Sequence, residues 1–197
     1  MEEWIDSKRV YEGKVVSVRV GNVLMGERIV AFREVVEHPG GVAIVPMLKD
    51  KVVLIRQFRV AVGRNVIEVP AGKLEGAENP LERARCELEE ETGYQAGRLI
   101  PVGSVFASVG YSSEEIRLFL AFDLKHVGQK LEHDEQIEIV EIPVAEIQRR
   151  LDTNGFKDAK TVVGLQALLS YFRNHPEETP ASLRDPALCE PAHDDAI

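Results

Sequence analysis

The chain has 197 residues, 44% of them hydrophobic, and a formal net charge of −9, which suits one domain with a full core and a tail. That acidic balance argues against a phosphate-backbone binder, since nucleic-acid domains carry a basic face; an anionic ligand would need metal or a few placed arginines. Two cysteines, Cys86 and Cys189, are too few and too differently placed for a disulfide framework or a zinc site.

No apolar run is long enough to span a membrane, and Met1-Glu2-Glu3 has the wrong charge for a signal peptide. The expectation is a cytoplasmic protein. Residues 8–20 read as a strand, with Val16, Val18 and Val20 alternating against polar neighbours. A turn over 22–26 and a strand over 28–37 complete an N-terminal hairpin. His38-Pro39-Gly40-Gly41 is turn chemistry, and strands over 42–48 and 51–58 form a second hairpin about Lys49-Asp50. A short strand over 66–69 runs through Pro70-Ala71-Gly72 into a helix with Asn79 as N-cap, Pro80 in the first turn and Gly93 as a left-handed stop. Strands over 98–107 and 116–123 follow, joined by a small, polar loop over 108–115. A strand over 137–142 and a short helix over 144–151 come next. Asp158 then caps a final helix whose Val162, Val163, Leu165, Leu168, Leu169 and Phe172 lie mostly inward. From residue 175 onward Pro, Glu, Asp and Ala dominate, which predicts a loose tail. The order of elements predicts an α+β fold, a sheet sandwiched by helices; no Gly-x-Gly-x-x-Gly follows the first strand to support a Rossmann reading.

The helix after Asn79 carries the chemistry. Glu87, Glu90 and Glu91 share one face, because i, i+3 and i+4 are neighbours. Leu81, Ala84 and Leu88 form an apolar stripe about 90° round the helix. Glutamates at this spacing repel by roughly a few tenths of a kcal/mol per pair, and a hard divalent cation would offset that. A glutamate run alone reads as a solvated face. Here a glycine-bearing loop that lets backbone approach a ligand precedes it, which turns the reading toward a site.

Gly72, Glu78, Glu87, Leu88, Glu90, Glu91, Gly93 and Tyr94 stand at the spacing of the Nudix box, G-x5-E-x7-R-E-U-x-E-E-x-G-U with U aliphatic or aromatic, so the stretch resembles that family. Cys86 occupies the position of the box arginine. The resemblance runs from about residue 28 to about 173 and implies an α/β/α sandwich around a mixed β-sheet. It implies three parts: a strand extension over 1–27 for dimerisation, a Nudix hydrolase domain over 28–174, and a flexible tail over 175–197. The N-terminal hairpin, Leu54-Ile55-Arg56-Gln57-Phe58-Arg59 and Ile67-Glu68-Val69-Pro70-Ala71-Gly72 are similar to the ADP-ribose pyrophosphatase branch. In that branch the hairpin commonly completes a domain-swapped dimer with active sites near the interface.

The resemblance also implies roles. Mg²⁺, with Mn²⁺ as the alternative ion, would be held by Glu87, Glu90, Glu91 and the carbonyl of Ala71, ahead of Glu78 and Glu89. Glu91 and Glu135 would be catalytic, Glu135 as the general base on an acidic loop over 131–138. Arg33, Arg59 and Glu114 would contact substrate, and Trp4 reads as a packing anchor. The implied activity is Mg²⁺-dependent hydrolysis of the diphosphate bond of ADP-ribose or a related nucleoside diphosphate sugar, giving AMP and a sugar phosphate. The implied partners are that small molecule and a second copy of the chain, with no nucleic acid and no membrane. Cys86, and Val109 where the branch carries proline, favour the alternative of a catalytically weakened Nudix domain that acts as a nucleotide-binding sensor or partner protein. Arg83, one turn before Glu87 on its face, is placed to take over part of the missing arginine's orienting role; Arg85 points roughly 160° away.

Overall fold

The computed structural model describes residues 1–26, 28–133 and 135–184. Among these residues ten strands and four helices follow one another. β1 (Glu2–Glu12), β2 (Ser17–Met25) and β3 (Ile29–Glu37) form a separate antiparallel sheet in that order. The single strand expected over 8–20 is two strands, because the Gly13 N–H turns back onto the Val16 carbonyl at 3.0 Å. β3 pairs with β2 along its whole length, from Ile29 to Glu37, so one sheet spans the boundary expected at residue 27.

The main sheet holds β4 (Gly41–Leu48), β5 (Lys51–Arg59), β6 (Arg64–Glu68), β7 (Ala71–Lys73), β8 (Tyr94–Phe106), β9 (Glu115–His126) and β10 (Ile137–Pro143). Its spine runs β10-β5-β4-β9-β8, with β6 on β5 and β7 on β4. β4 and β9 are parallel, and the other pairings are antiparallel. β4 is buried from Gly41 to Met47, because helices cover both faces and its apolar run Val-Ala-Ile-Val suits a strand buried on two sides. Alternation sorts its side chains: Val42 and Ile44 face α1 (Pro80–Thr92), beside Ala84 and Leu88. Ala43, Val45 and Met47 face the cluster built by α2 (Val144–Asp152) and α3 (Ala159–Asn174). Full burial of Leu88 contributes about 1.5–3 kcal/mol toward holding α1 on the sheet. The α+β sandwich expected from the sequence is the fold observed.

Residues 175–184, expected to begin a loose tail, are folded onto the domain. Arg98 on β8 holds Glu178 through two hydrogen bonds, and the Tyr171 hydroxyl donates to Glu178 at 2.9 Å. A last turn, α4 (Ala181–Arg184), follows. Residues 185–197, with Cys189 and the rest of the expected tail, lie outside the described residues.

Candidate active site

α1 is capped as its sequence dictates. The Asn79 side chain accepts the Leu81 N–H at 2.9 Å, and Gly93 closes the helix at φ 72°, a left-handed conformation that costs glycine nothing. The segment after β9 is tied to the helix end: the Lys130 N–H bonds the Glu90 carbonyl at 3.0 Å, and Gln129 Nε2 donates to the Glu91 carbonyl at 2.6 Å. These bonds satisfy last-turn carbonyls and start the acidic loop at the foot of the glutamate face. Asp134 of that loop lies outside the described residues.

Glu87 and Glu91 are 5% and 3% exposed. Both brace against one short piece of backbone. Glu91 Oε2 accepts the Ala71 N–H at 2.9 Å, and the Glu87 carboxylate occupies the space a Cβ on Gly72 would fill. β7 therefore needs glycine at position 72 for the helix to approach. Burial raises the Glu87 carboxyl to about 6, with Arg83 opposing the rise. Burial followed by repulsion from Glu87 raises Glu91 to about 8, and the Ala71 hydrogen bond offsets only part of it. Glu135 adds to both rises, so its charge reaches both carboxylates; its Oε2 accepts the Glu132 N–H at 3.0 Å, which folds the loop on itself.

This pair is short of positive charge. Its donors are all oxygen, so the residues present fit a hard divalent cation. The fold brings Glu87 and Glu91 together and leaves Glu90 nearer the rim, its side chain 38% exposed. Among the described residues no three His, Cys, Asp or Glu side chains are already gathered tightly enough to hold an ion; Arg83 engages Oε1 of Glu87 and the Ala71 N–H engages Oε2 of Glu91, one oxygen of each carboxylate. Glu89 is engaged elsewhere, with Lys130 and with Gln95 at 2.6 Å. Glu78 accepts the Glu75 N–H at 3.2 Å in the preceding turn.

Ala71 and Gly72 also line a pocket of ≈ 380 Å³, within the range of small-molecule sites. Its other walls include Arg59, Lys73, Lys160, Asp158, His38 and Glu114. Arg59 is held by Glu68, a buried carboxylate 2% exposed, with Nε at 2.7 Å and Nη2 at 3.0 Å. Burial pushes the Glu68 carboxyl up, but Arg59 and Lys160 outweigh it and hold it below its ordinary value. Lys160 also reaches Asp158 at 3.1 Å. The Arg59 fork leaves Nη1 outside that pairing, and planar guanidinium suits phosphate oxygens. At the far end Glu114 Oε1 lies 3.9 Å from His38 Nδ1. The loop carrying Glu114 is stitched to β3 by Val36 N–H to the Tyr111 carbonyl at 2.7 Å and Ser113 N–H to the Val36 carbonyl at 3.0 Å.

Of the residues singled out in the sequence, Ala71, Arg59 and Glu114 line this pocket, and Glu87, Glu91 and Glu135 are coupled beside it. Arg33 is not brought there. It lies on β3 with Nε and Nη2 on the Glu2 carboxylate at 3.0 and 2.7 Å. Sequence reasoning missed Glu68, Lys160 and His38. Their one signal was a charged residue, Glu68, inside the apolar run Val66-Ile67-Glu68-Val69.

Fold and site together define an α+β domain that sets buried carboxylates beside a pocket walled by arginine, lysine and acidic side chains, the build of a binder of anionic small molecules. A family model described as "NUDIX domain" matches residues 37–163. The chain is 35% identical over 170 residues to the ADP-ribose pyrophosphatase of Bacillus subtilis (strain 168), covering 85% of this chain and 92% of that protein. It is 34% identical over 170 residues to the methanol dehydrogenase activator of Bacillus methanolicus, again covering 85% and 92%. A crystal structure described as an ADP compounds hydrolase matches with a TM-score of 0.79 over 88% of this chain and 95% of that one, and its 21% identity bears on the fold alone. The chain belongs to the Nudix family.

Proposed function

We propose that this chain is a Nudix pyrophosphohydrolase that cleaves the diphosphate of ADP-ribose or a related nucleoside diphosphate sugar, releasing AMP and a sugar phosphate. The observation that carries the reading is the buried pair Glu87 and Glu91, short of positive charge and braced on the same Ala71–Gly72 backbone that lines the pocket holding Arg59 and Lys160. Glu87, Glu91, Glu90 and the Ala71 carbonyl are the set that would hold Mg²⁺ or Mn²⁺. When bound, such an ion neutralises charge on the diphosphate oxygens. Arg59, fixed by Glu68, and Lys160 orient the diphosphate from the opposite wall. Glu114 and His38 form the polar end for a sugar's hydroxyls. Glu135 takes the proton from the attacking water, a role that requires it ionised and within hydrogen-bond reach.

The chain's N-terminal sheet supports a homodimer. β1 is exposed throughout, and Trp4, Ile5, Val10, Tyr11, Ile29, Val30 and Phe32 are exposed, an apolar display of the kind that marks interaction surfaces. Arg33 would reach substrate only across such an interface. No helix among the described residues is long and apolar enough to cross a membrane; a cytoplasmic site of action completes the proposal. A second reading, a nucleotide-binding partner of another protein, is favoured by Cys86 at the box arginine and by the relative named as an enzyme activator. Chromatographic detection of AMP or GMP from ADP-ribose, other ADP-sugars and GDP-mannose, with MgCl₂ or EDTA, separates the two. Metal-dependent nucleoside monophosphate release supports the hydrolase. Tight nucleotide binding without turnover supports the partner protein.

A further inference from the structure

Glu87 is buried beside the pocket, with its carboxylate packed over Gly72. A buried carboxylate needs a charge partner and a fixed direction. Arg83, one turn earlier on α1, supplies both: its Nη2 hydrogen-bonds Glu87 Oε1 and lies 3.7 Å from Glu90 Oε2. The same guanidinium keeps Nε buried without a hydrogen-bond partner. That is an unfavourable arrangement, accepted where one nitrogen spans two carboxylates.

Among the described residues no neighbour duplicates the contact. Arg85 faces Glu82 at 3.9 Å and the Ala96 carbonyl at 3.3 Å. Lys130 pairs with Glu89 and Arg59 with Glu68. Cys86 is exposed, and a thiol cannot supply a positive charge. Among the described residues Arg83 is thus the cation that hydrogen-bonds Glu87 and stands 3.7 Å from Glu90.

Resting on the proposed hydrolase reading, we infer that Arg83 is the positioning residue of this site: it aims Glu87, and through the same nitrogen Glu90, at the catalytic cation. It does so from a position that faces the cluster one turn away, doing the work an arginine at position 86 would do. A side chain at 86 stands one turn before Glu90, so an arginine placed there can take up the same group.

The test uses the full chain as wild type, R83Q, R83K, R85Q and the double variant R83Q/C86R. Steady-state kcat and KM are measured with ADP-ribose in MgCl₂, and Tm is measured separately in EDTA and in MgCl₂. R83Q is expected to lower kcat at least ~10-fold while KM stays within about twofold, the signature of lost transition-state stabilisation without lost substrate binding. R83K recovers part of the loss, and R83Q/C86R recovers at least half of it on a logarithmic scale; R85Q matches wild type. In EDTA the Tm of R83Q falls below that of R85Q, and MgCl₂ narrows the gap. Equal kcat in R83Q and R85Q, a KM rise that accounts for the whole change in kcat/KM, or no recovery in the double variant overturns the inference. An R83Q that does not fold counts for it only if C86R restores folding and turnover together, and against it otherwise. Should the wild type cleave no diphosphate sugar, the hydrolase reading fails by itself and the Tm comparison decides: a metal-repaired deficit in R83Q supports the inference, and behaviour like R85Q overturns it.

Discussion

Glu91→Gln removes one negative charge from the buried Glu87–Glu91 pair while keeping the oxygen that accepts the Ala71 N–H. In the metal-free protein Glu91 is raised from 4.5 to about 8 by burial and then by Glu87. Its folded value lies above its unfolded one, so the folded chain holds a proton that the unfolded chain has released between those values. Stability from this group is therefore full below about pH 4.5 and is lost as pH rises through about 8. At pH 7.5, three pH units above the unfolded value at about 1.4 kcal/mol each set a ceiling of roughly 4 kcal/mol. The glutamine amide returns about 1–2 kcal/mol as a buried, unpaired N–H₂. A net gain of about 2 kcal/mol in a chain of this length is a Tm rise of about 4–8 °C. The assay is thermal unfolding in EDTA and in MgCl₂ at pH 5.5 and 7.5. Wild type in EDTA should lose Tm between the two pH values and regain it with MgCl₂; E91Q should lose less and gain little from the ion. An E91Q protein less stable than wild type at pH 7.5 in EDTA, with an undiminished response to MgCl₂, would refute the reasoning.

Three further outcomes follow from the geometry. Glu135→Gln should lower kcat at least ~10²-fold, in the range reported for positioned acid–base groups, with metal and substrate affinities nearly unchanged by titration calorimetry; a fall in affinity with kcat intact makes Glu135 a binding residue. Gly72→Ala places a methyl on the Glu87 carboxylate, so kcat should collapse and stability fall by about 1–3 kcal/mol as for other overpacked sites, seen in urea unfolding. Lys160→Met leaves buried Glu68 with Arg59 alone; a loss of about 1–3 kcal/mol and a raised KM for ADP-ribose are expected, and an unchanged KM removes Lys160 from the phosphate wall.

What could be read from the sequence was whatever short-range chemistry decides. Asn79, Pro80 and Gly93 delimit α1 because capping and left-handed closure are local. Arg83 meets Glu87 because one helical turn brings them together. The missed features depend on distant partners. β7 is three residues, Ala-Gly-Lys, with no strand propensity of their own; pairing with β4 makes them a strand. The continuous valine alternation hid the Gly13 turn that splits β1 from β2. Lys160 looked like a residue in the first turn of α3, and only the packing of that helix start against Glu68, 92 positions earlier, makes it part of the pocket wall. Arg33 faces Glu2 because β1 folds back beside β2, a pairing that strand propensity alone does not specify.

The central claim is that α1 and the Ala71–Gly72 strand make a cation-dependent diphosphate hydrolase of this chain. It is tested most directly by following AMP release from ADP-ribose by wild type and E91Q side by side, in MgCl₂ and in EDTA. The account predicts AMP and ribose 5-phosphate from wild type in MgCl₂ alone, and a rate at least ~10²-fold lower for folded E91Q. AMP release by E91Q at the wild-type rate, or by wild type undiminished in EDTA, would contradict it.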